Sequence, residues 1–455
     1  MQYFTPGGDL FLGDCMPFFD GQTFHLYYLL DEGHHQGLGG LGGHQWAHAT
    51  THDLRRWEHH PLALPITDDW EGSICTGSVV RHAGTFHAFY ATRARDRTQH
   101  LGHAVSADGI TFRKTAPNPL LSAPPGYVPT ELRDPCVFPG EDGRWHMLVT
   151  SRLAEFPLAG RGGCLLHLTS DDLWRWEVGG PLLVPGGEPG YHCIPECPDY
   201  FVWNGWHYLL FGQRLRTHYR MARDLNGPWL RPPCDALDGG FCAVMKTAPF
   251  GQGRRIGVGW AGPRRDGRDD GAMLWGGSAV FRELVQRPDG TLDTRFPPEL
   301  APEGRPVHGL TLEALTPGCA AEDGRVRLEA LATQEVAALD GLPLDCRIRC
   351  RVIPAPGSAR FGLGLRGAGR YESACDLALF GHTGAVALGQ ERLEGVGGLD
   401  QPLTLDVVLT GDIIDVCVDG RRCLANRLPE RRGDRLFLFC EGGRVVFEQL
   451  SVEAL

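Results

Sequence analysis

The sequence contains no apolar run approaching the roughly 20 residues needed to cross a bilayer, so no membrane helix is expected. Its opening residues, MQYFTPGGDLFLGD, lack the basic segment and apolar stretch of a secretory signal. Together with 15 cysteines best read as reduced thiols, this gives the expectation of a cytoplasmic protein. Basic residues are in the minority, 44 Lys and Arg against 55 Asp and Glu, for a net charge of -11. Phosphate neutralisation needs clustered Lys and Arg, so no nucleic-acid partner is expected. Sustained helical periodicity is missing too. The stretch RVRLEALATQEVAAL (325–339) is an exception, and it could equally be a pair of strands. GLGGLGG (37–43) has neither a following Lys-Ser/Thr nor a βαβ context, which makes a phosphate loop a poor reading. The histidines between Asp31 and His60 do not match the H-E-x-x-H spacing of a helical zinc site.

Turn-forming residues are abundant: 62 Gly and 33 Pro, with many DG and NG pairs, favour β structure. A length of 455 residues exceeds one compact core and points to two domains. A short cassette recurs as FHLYY (24–28), FHAFY (86–90), WHMLV (145–149) and WHYLL (206–210). Its histidines, His25, His87, His146 and His207, are 62, 59 and 61 residues apart. A degenerate fifth copy fits at RRIGVGW (254–260), with Met245 eleven residues before Ile256. A turn precedes each cassette, and after the first three come THDLRRW, SADGITF and SDDLWRW, with ARDLNGPW as a looser fourth. Radially repeated four-stranded units make a β-propeller. The expected fold is all-β: a five-bladed propeller over residues 1–300, a Pro/Gly-rich linker at 301–312, and a β-sandwich over 313–455.

Eleven residues before the cassette histidines lie Asp14, Thr76, Pro135 (one past Asp134) and Glu196. Singly, an aspartate before a strand is most often a turn or capping residue, and an Arg133-Asp134 pair is usually a local ion pair. Nearly one register across separate repeats is different: equivalent positions of a propeller face one axis. Three carboxylates gathered there fit the cleavage of a glycosidic bond. Glu196 suits the acid, since an apolar or like-charged setting raises its pKa, and Asp14 suits the nucleophile. Cys15, Cys75, Cys136 and Cys197 run in step, 60, 61 and 61 residues apart. Packing between blades is the better reading for them than zinc binding. The histidine-rich stretch reads as a loop over the channel mouth, with His44 and Trp46 candidates for sugar contact. The cassette histidines recur with the fold and read as structural.

These residues resemble glycoside hydrolase family 32, the fructosidase family of invertases, inulinases and levanases, over nearly the whole chain. The family's nucleophile segment N-D-P-N-G, its R-D-P and its E-C are matched in order by GDCMPFF, LRDPCVF and IPECPDYF. WEGSICTGSVV is similar to its serine-rich F-S-G-S-A segment, and SAVFRELVQRPDGTL to its R-E-L strand. The resemblance implies a retaining double displacement on a furanoside, most of all a β-fructofuranoside. It makes Asp14 the nucleophile, Glu196 the acid/base and Asp134 the transition-state stabiliser. Arg133, Thr76, Cys75 and Trp70 join His44 and Trp46 as candidate substrate-binding residues. No metal or organic cofactor is called for. Departures fall on the sugar-holding positions: Gly13 stands where the family has asparagine, Cys15-Met16-Pro17 replace P-N-G, and Leu30-Asp31-Glu32 lie where a glutamine is expected. Another furanosidase, an inverting one included, a fructosyltransferase, or a lapsed carbohydrate-binding protein therefore stay open. The sandwich is expected to shield the propeller or to form a homodimer contact.

Overall fold

The computed structural model describes residues 3–33, 42–185, 194–322 and 324–455. From Phe11 to Arg295 the chain forms five antiparallel sheets in succession, with consecutive strands as neighbours except that the short strand Leu121–Ser122 pairs with Gln99–Ser106. These are the five blades. Their innermost strands are Phe11–Phe19, Ser73–His82, Tyr127–Pro139, Glu196–Trp203 and Ala243–Phe250. Each cassette is the second strand, the fifth copy at Arg254–Ala261 included. Innermost strands of neighbouring blades pack against one another, and that of blade 5 meets that of blade 1, closing the ring.

Local chemistry explains why the repeat folds alike each time. Asp53, Asp108 and Asp172 each turn a carboxylate oxygen back onto the backbone N–H groups that follow. Such side-chain-to-backbone bonds define a turn without help from distant residues. The cassette histidines form ring pairs with histidines of the third strand: His25 with His48 at 3.1 Å, His87 with His103 at 3.0 Å, His146 with His167 at 2.8 Å. In blade 4, His207 instead meets the Tyr200 hydroxyl at 2.6 Å. These histidines lie at the opposite end of their strands from the carboxylates, since His25 pairs with Phe18 whereas Leu12 pairs with Leu30.

The C-terminal part is a β-sandwich organised on a 20-residue strand, Arg435–Ala454, which pairs with Arg325–Leu339, Cys346–Pro354 and Arg360–Ala368. The segment 325–339, ambiguous in sequence, is one strand rather than a helix or a strand pair. Its register shifts between Ala330 and Gln334. Within the expected linker, Arg305–Pro306 already pairs with Glu453–Ala454 on the sandwich edge. Arg282 of blade 5 reaches Asp238 at 2.6 Å and Asp415 of the sandwich at 2.7 Å, and none of the three is more than 1% exposed. Charges this deep are tolerated only when paired, so the triad joins the two parts. Among the described residues, no helix is long and apolar enough to cross a membrane.

Candidate active site

All five innermost strands lose register at one level: between Leu12 and Cys15, Ile74 and Gly77, Arg133 and Cys136, Glu196 and Asp199, and Ala243 and Lys246. A bulge inserts unpaired residues, sharpens the twist and re-aims side chains. Asp134 (φ 56°) and Cys197 (φ 50°) are in the left-handed region that non-glycine residues rarely adopt. The bulges also refine the register seen in the sequence. Glu196 enters its bulge, Asp134 is the first residue inside its own, and Asp14 is the second. Asp14 thus lies within its strand rather than ahead of it. The three carboxylates occupy successive steps of one repeated kink and still converge.

Asp14 is held by three donors. Thr76 Oγ1 donates to its Oδ2 at 2.7 Å, Cys197 Sγ approaches that oxygen at 3.6 Å, and Trp260 Nε1 donates to Oδ1 at 2.9 Å. Burial pushes the Asp14 carboxyl up from the usual carboxylate range; the Thr76 bond opposes it, the Asp134 charge adds to it, and the Trp260 and Cys197 bonds oppose it again. Asp134 is buried and accepts the backbone N–H of Cys197 at 3.0 Å, which ties blade 3 to blade 4 beside Glu196. Arg133 Nη2 donates to Glu196 Oε1 at 2.7 Å, Nη1 donates to Glu131, and Nε lies 3.7 Å from Asp134. Desolvation raises the Glu196 pKa; Arg133 pulls it down, while the Asp134 and Asp14 charges push it up. Burial would lower the Arg133 pKa, but the charges of Glu196, Asp134 and Glu131 outweigh it and hold the guanidinium ionised. The Glu196 side chain is 43% exposed, so a ligand can reach it.

The remaining candidates fall into two groups. Thr76 and Arg133 touch the carboxylates directly, and Cys75 occupies the blade 2 bulge beside Thr76 with its thiol near Ser73 O at 3.9 Å. Trp46 is fully buried, its indole donating to Cys75 O at 2.8 Å, so it packs blade 1 onto blade 2 and offers no face to a sugar. His44 is buried as well, bonded to Asp31 at 3.1 Å. Trp70 sits edge-on to His100, 6.2 Å between ring centres. The middle of the histidine-rich stretch, 34–41, lies outside the described residues. Of the in-step cysteines, Cys197 contacts Asp14 as well as packing between blades. No group of three His, Cys, Asp or Glu among the described residues is arranged to hold a metal ion.

Two tryptophans were not singled out from sequence. Trp260, the last residue of the fifth cassette copy, bonds Asp14. Trp275 occupies the space beside Gly13, where an added Cβ would lie 1.9 Å from its Cη2 atom. The residue before Asp14 is therefore a glycine because an indole from the loop ahead of the third strand of blade 5 fills its side-chain position. The repeat register could have flagged Trp260; Trp275 lies in an irregular loop with no repeat position to flag it.

Three carboxylates gathered at the level of the bulges of a five-bladed propeller are the groups that cleavage of a glycosidic bond requires. The sequence profile described as "Glycosyl hydrolases family 32 N-terminal domain" matches residues 15–288, more than half of the chain, and the protein belongs to this family. It is similar to a sucrose-6-phosphate hydrolase of Klebsiella pneumoniae, 31% identical over 242 residues, covering 48% of this chain and 49% of that protein. It is also similar to a raffinose invertase of Escherichia coli, 28% identical over 306 residues, with 61% and 60% covered. The chain spans about half the length of the first curated relatives it matches. Among solved structures, fructan 1-exohydrolase IIa from Cichorium intybus shares the fold at a TM-score of 0.72 and 16% identity, covering 100% of this chain and 96% of that one.

Proposed function

We propose that the protein hydrolyses β-fructofuranosides by a retaining double displacement, with Asp14 as nucleophile, Glu196 as acid/base and Asp134 as stabiliser of the sugar in the transition state. The observation that carries this reading is the way neighbouring residues link the three carboxylates: Cys197, next to Glu196, gives its N–H to Asp134 at 3.0 Å and its thiol to Asp14 at 3.6 Å, while Arg133, next to Asp134, bonds Glu196 at 2.7 Å. Carboxylates linked through so few intervening residues can act on one sugar ring, and the Asp134 charge bears on both Asp14 and Glu196. The names of the relatives, which act on sucrose 6-phosphate and raffinose, support a fructoside.

The electrostatics also suit the two steps. The first step needs a protonated Glu196 to supply its proton to the leaving oxygen as an ionised Asp14 attacks the anomeric carbon; burial and the Asp134 and Asp14 charges favour that proton on Glu196, against the pull of Arg133. Once Asp14 is a neutral ester, its share of the push on Glu196, which is smaller than those of burial and of Asp134, is gone. Its pKa falls, and it can take a proton from the incoming water. Free thiols throughout the described cysteines support a reducing, cytoplasmic setting. The test is a screen of sucrose, raffinose, their phosphorylated forms and aryl furanosides, with Asp14→Ala and Glu196→Ala as controls. Loss of turnover in both variants is expected; near-wild-type rates in either would end the assignment.

A further inference from the structure

Asp14 Oδ2 receives Thr76 and Cys197, whereas Oδ1 receives the Trp260 indole N–H. Trp260 is fully buried on the second strand of blade 5, so its ring has no freedom to leave that bond. Trp275 packs on it, ring centres 5.5 Å apart and planes tilted by 55°, and is stacked against His44 at 4.5 Å. His44 is itself anchored on Asp31, with both side chains 1% exposed. Trp275 also lies so close to Gly13 that no side chain could be added there. A chain of contacts thus runs from Asp31 through His44 and Trp275 to Trp260, and ends on Asp14.

We propose that Trp260 is a positioning residue for Asp14, fixing the plane of its carboxylate and stabilising its charge, and that Trp275, seated against Gly13, holds Trp260 in place. The proposal rests on reading Asp14 as the nucleophile. An N–H aimed at one carboxylate oxygen favours the ionised form over both the protonated acid and the glycosyl ester. It therefore acts on two events. It keeps Asp14 charged to lower pH, and it makes Asp14 a better leaving group when water cleaves the ester.

Replacing Trp260 by phenylalanine removes the N–H and keeps an aromatic ring. The acid limb of the activity profile then moves to higher pH. The turnover number falls about tenfold, the scale of one charge-assisted hydrogen bond partly expressed in the transition state. Because the ester accumulates, KM falls with kcat, whereas a merely structural defect lowers kcat/KM. Incorporating β-(3-benzothienyl)alanine at position 260 puts sulfur in place of the N–H at nearly constant shape, and covers the case where Trp260→Phe folds poorly. Trp275→Ala should shift the limb the same way by less, and add nothing in the Trp260→Phe background. Titration of the Asp14 carboxyl in ligand-free protein carrying 13C-labelled aspartate, assigned with Asp14→Asn, gives the same answer without turnover. A wild type that cleaves no furanoside sinks the hydrolase reading, yet leaves this titration to decide on Trp260. An Asp14 carboxyl that titrates at the wild-type pH in both position-260 variants overturns the proposal.

Discussion

Lowering the pH from 7 to 5.5 should loosen the propeller through its paired histidines. Burial depresses the pKa of His48 to about 2 and of His103 to about 3, with the partner histidines His25 and His87 adding to the effect. Both rings are no more than 1% exposed. Each has an Nδ1 without a hydrogen-bond partner, as suits a neutral ring donating from Nε2 to its partner's Nδ1. In the unfolded chain a histidine protonates near pH 6.5, so below that value the unfolded state binds protons that the folded state refuses. Stability is then lost as the pH falls, by about 1.2 kcal/mol for each ring between pH 7 and 5.5. The loss is partly offset by Asp238, whose pKa is raised to about 6 by burial despite Arg282, and which takes up a proton in the folded state over the same interval. That gain is about 0.8 kcal/mol. A comparison of variants isolates the histidine effect. His103→Gln keeps a donor toward His87 and cannot titrate, so its urea-unfolding free energy should fall by about 1.2 kcal/mol less than wild type over this interval. Identical pH dependence in the two proteins would refute the argument.

Two further outcomes follow from the ion pairs. Arg133→Gln removes the cation that holds down the Glu196 pKa, so the alkaline limb of the activity profile should move to higher pH and the rate fall by about ten- to hundredfold, read from steady-state kinetics between pH 4 and 9. Arg282→Met leaves Asp238 and Asp415 buried without their cation and should cost about 3–5 kcal/mol in urea unfolding; a loss below about 1 kcal/mol would show that the triad does not join propeller to sandwich.

The propeller was legible because its period is carried by local chemistry: the cassette, the Asp-centred turn and the glycine-rich hairpins each specify their own geometry. The carboxylates were legible for the same reason, since the repeat brings distant residues to one level. The bulges were not, because a single extra residue leaves no signature in composition, and so Glu196, Asp134 and Asp14 looked closer to one register than they are. Trp46 looked like a sugar contact because an aromatic beside a histidine-rich loop has the right chemistry. Its partner, Cys75 O, is set by blade-to-blade packing that a single strand does not reveal. The strand 325–339 was ambiguous because its bulge interrupts the alternation: Val326, Leu328 and Ala330 are buried on one parity, then Val336 to Leu339 are buried in a row. Gly13 looked like a lost sugar contact, and only the tertiary structure shows that Trp275 fills its place.

The decisive measurement is to look for the bond itself. Glu196→Ala mixed with a fructosyl donor carrying an activated leaving group needs no acid for the first step and lacks the base for the second, so the ester should build up. Rapid quenching and peptide mass spectrometry should then find one fructosyl unit on Asp14. An unmodified Asp14, with wild-type enzyme releasing sugar of inverted anomeric configuration, contradicts covalent catalysis at that residue.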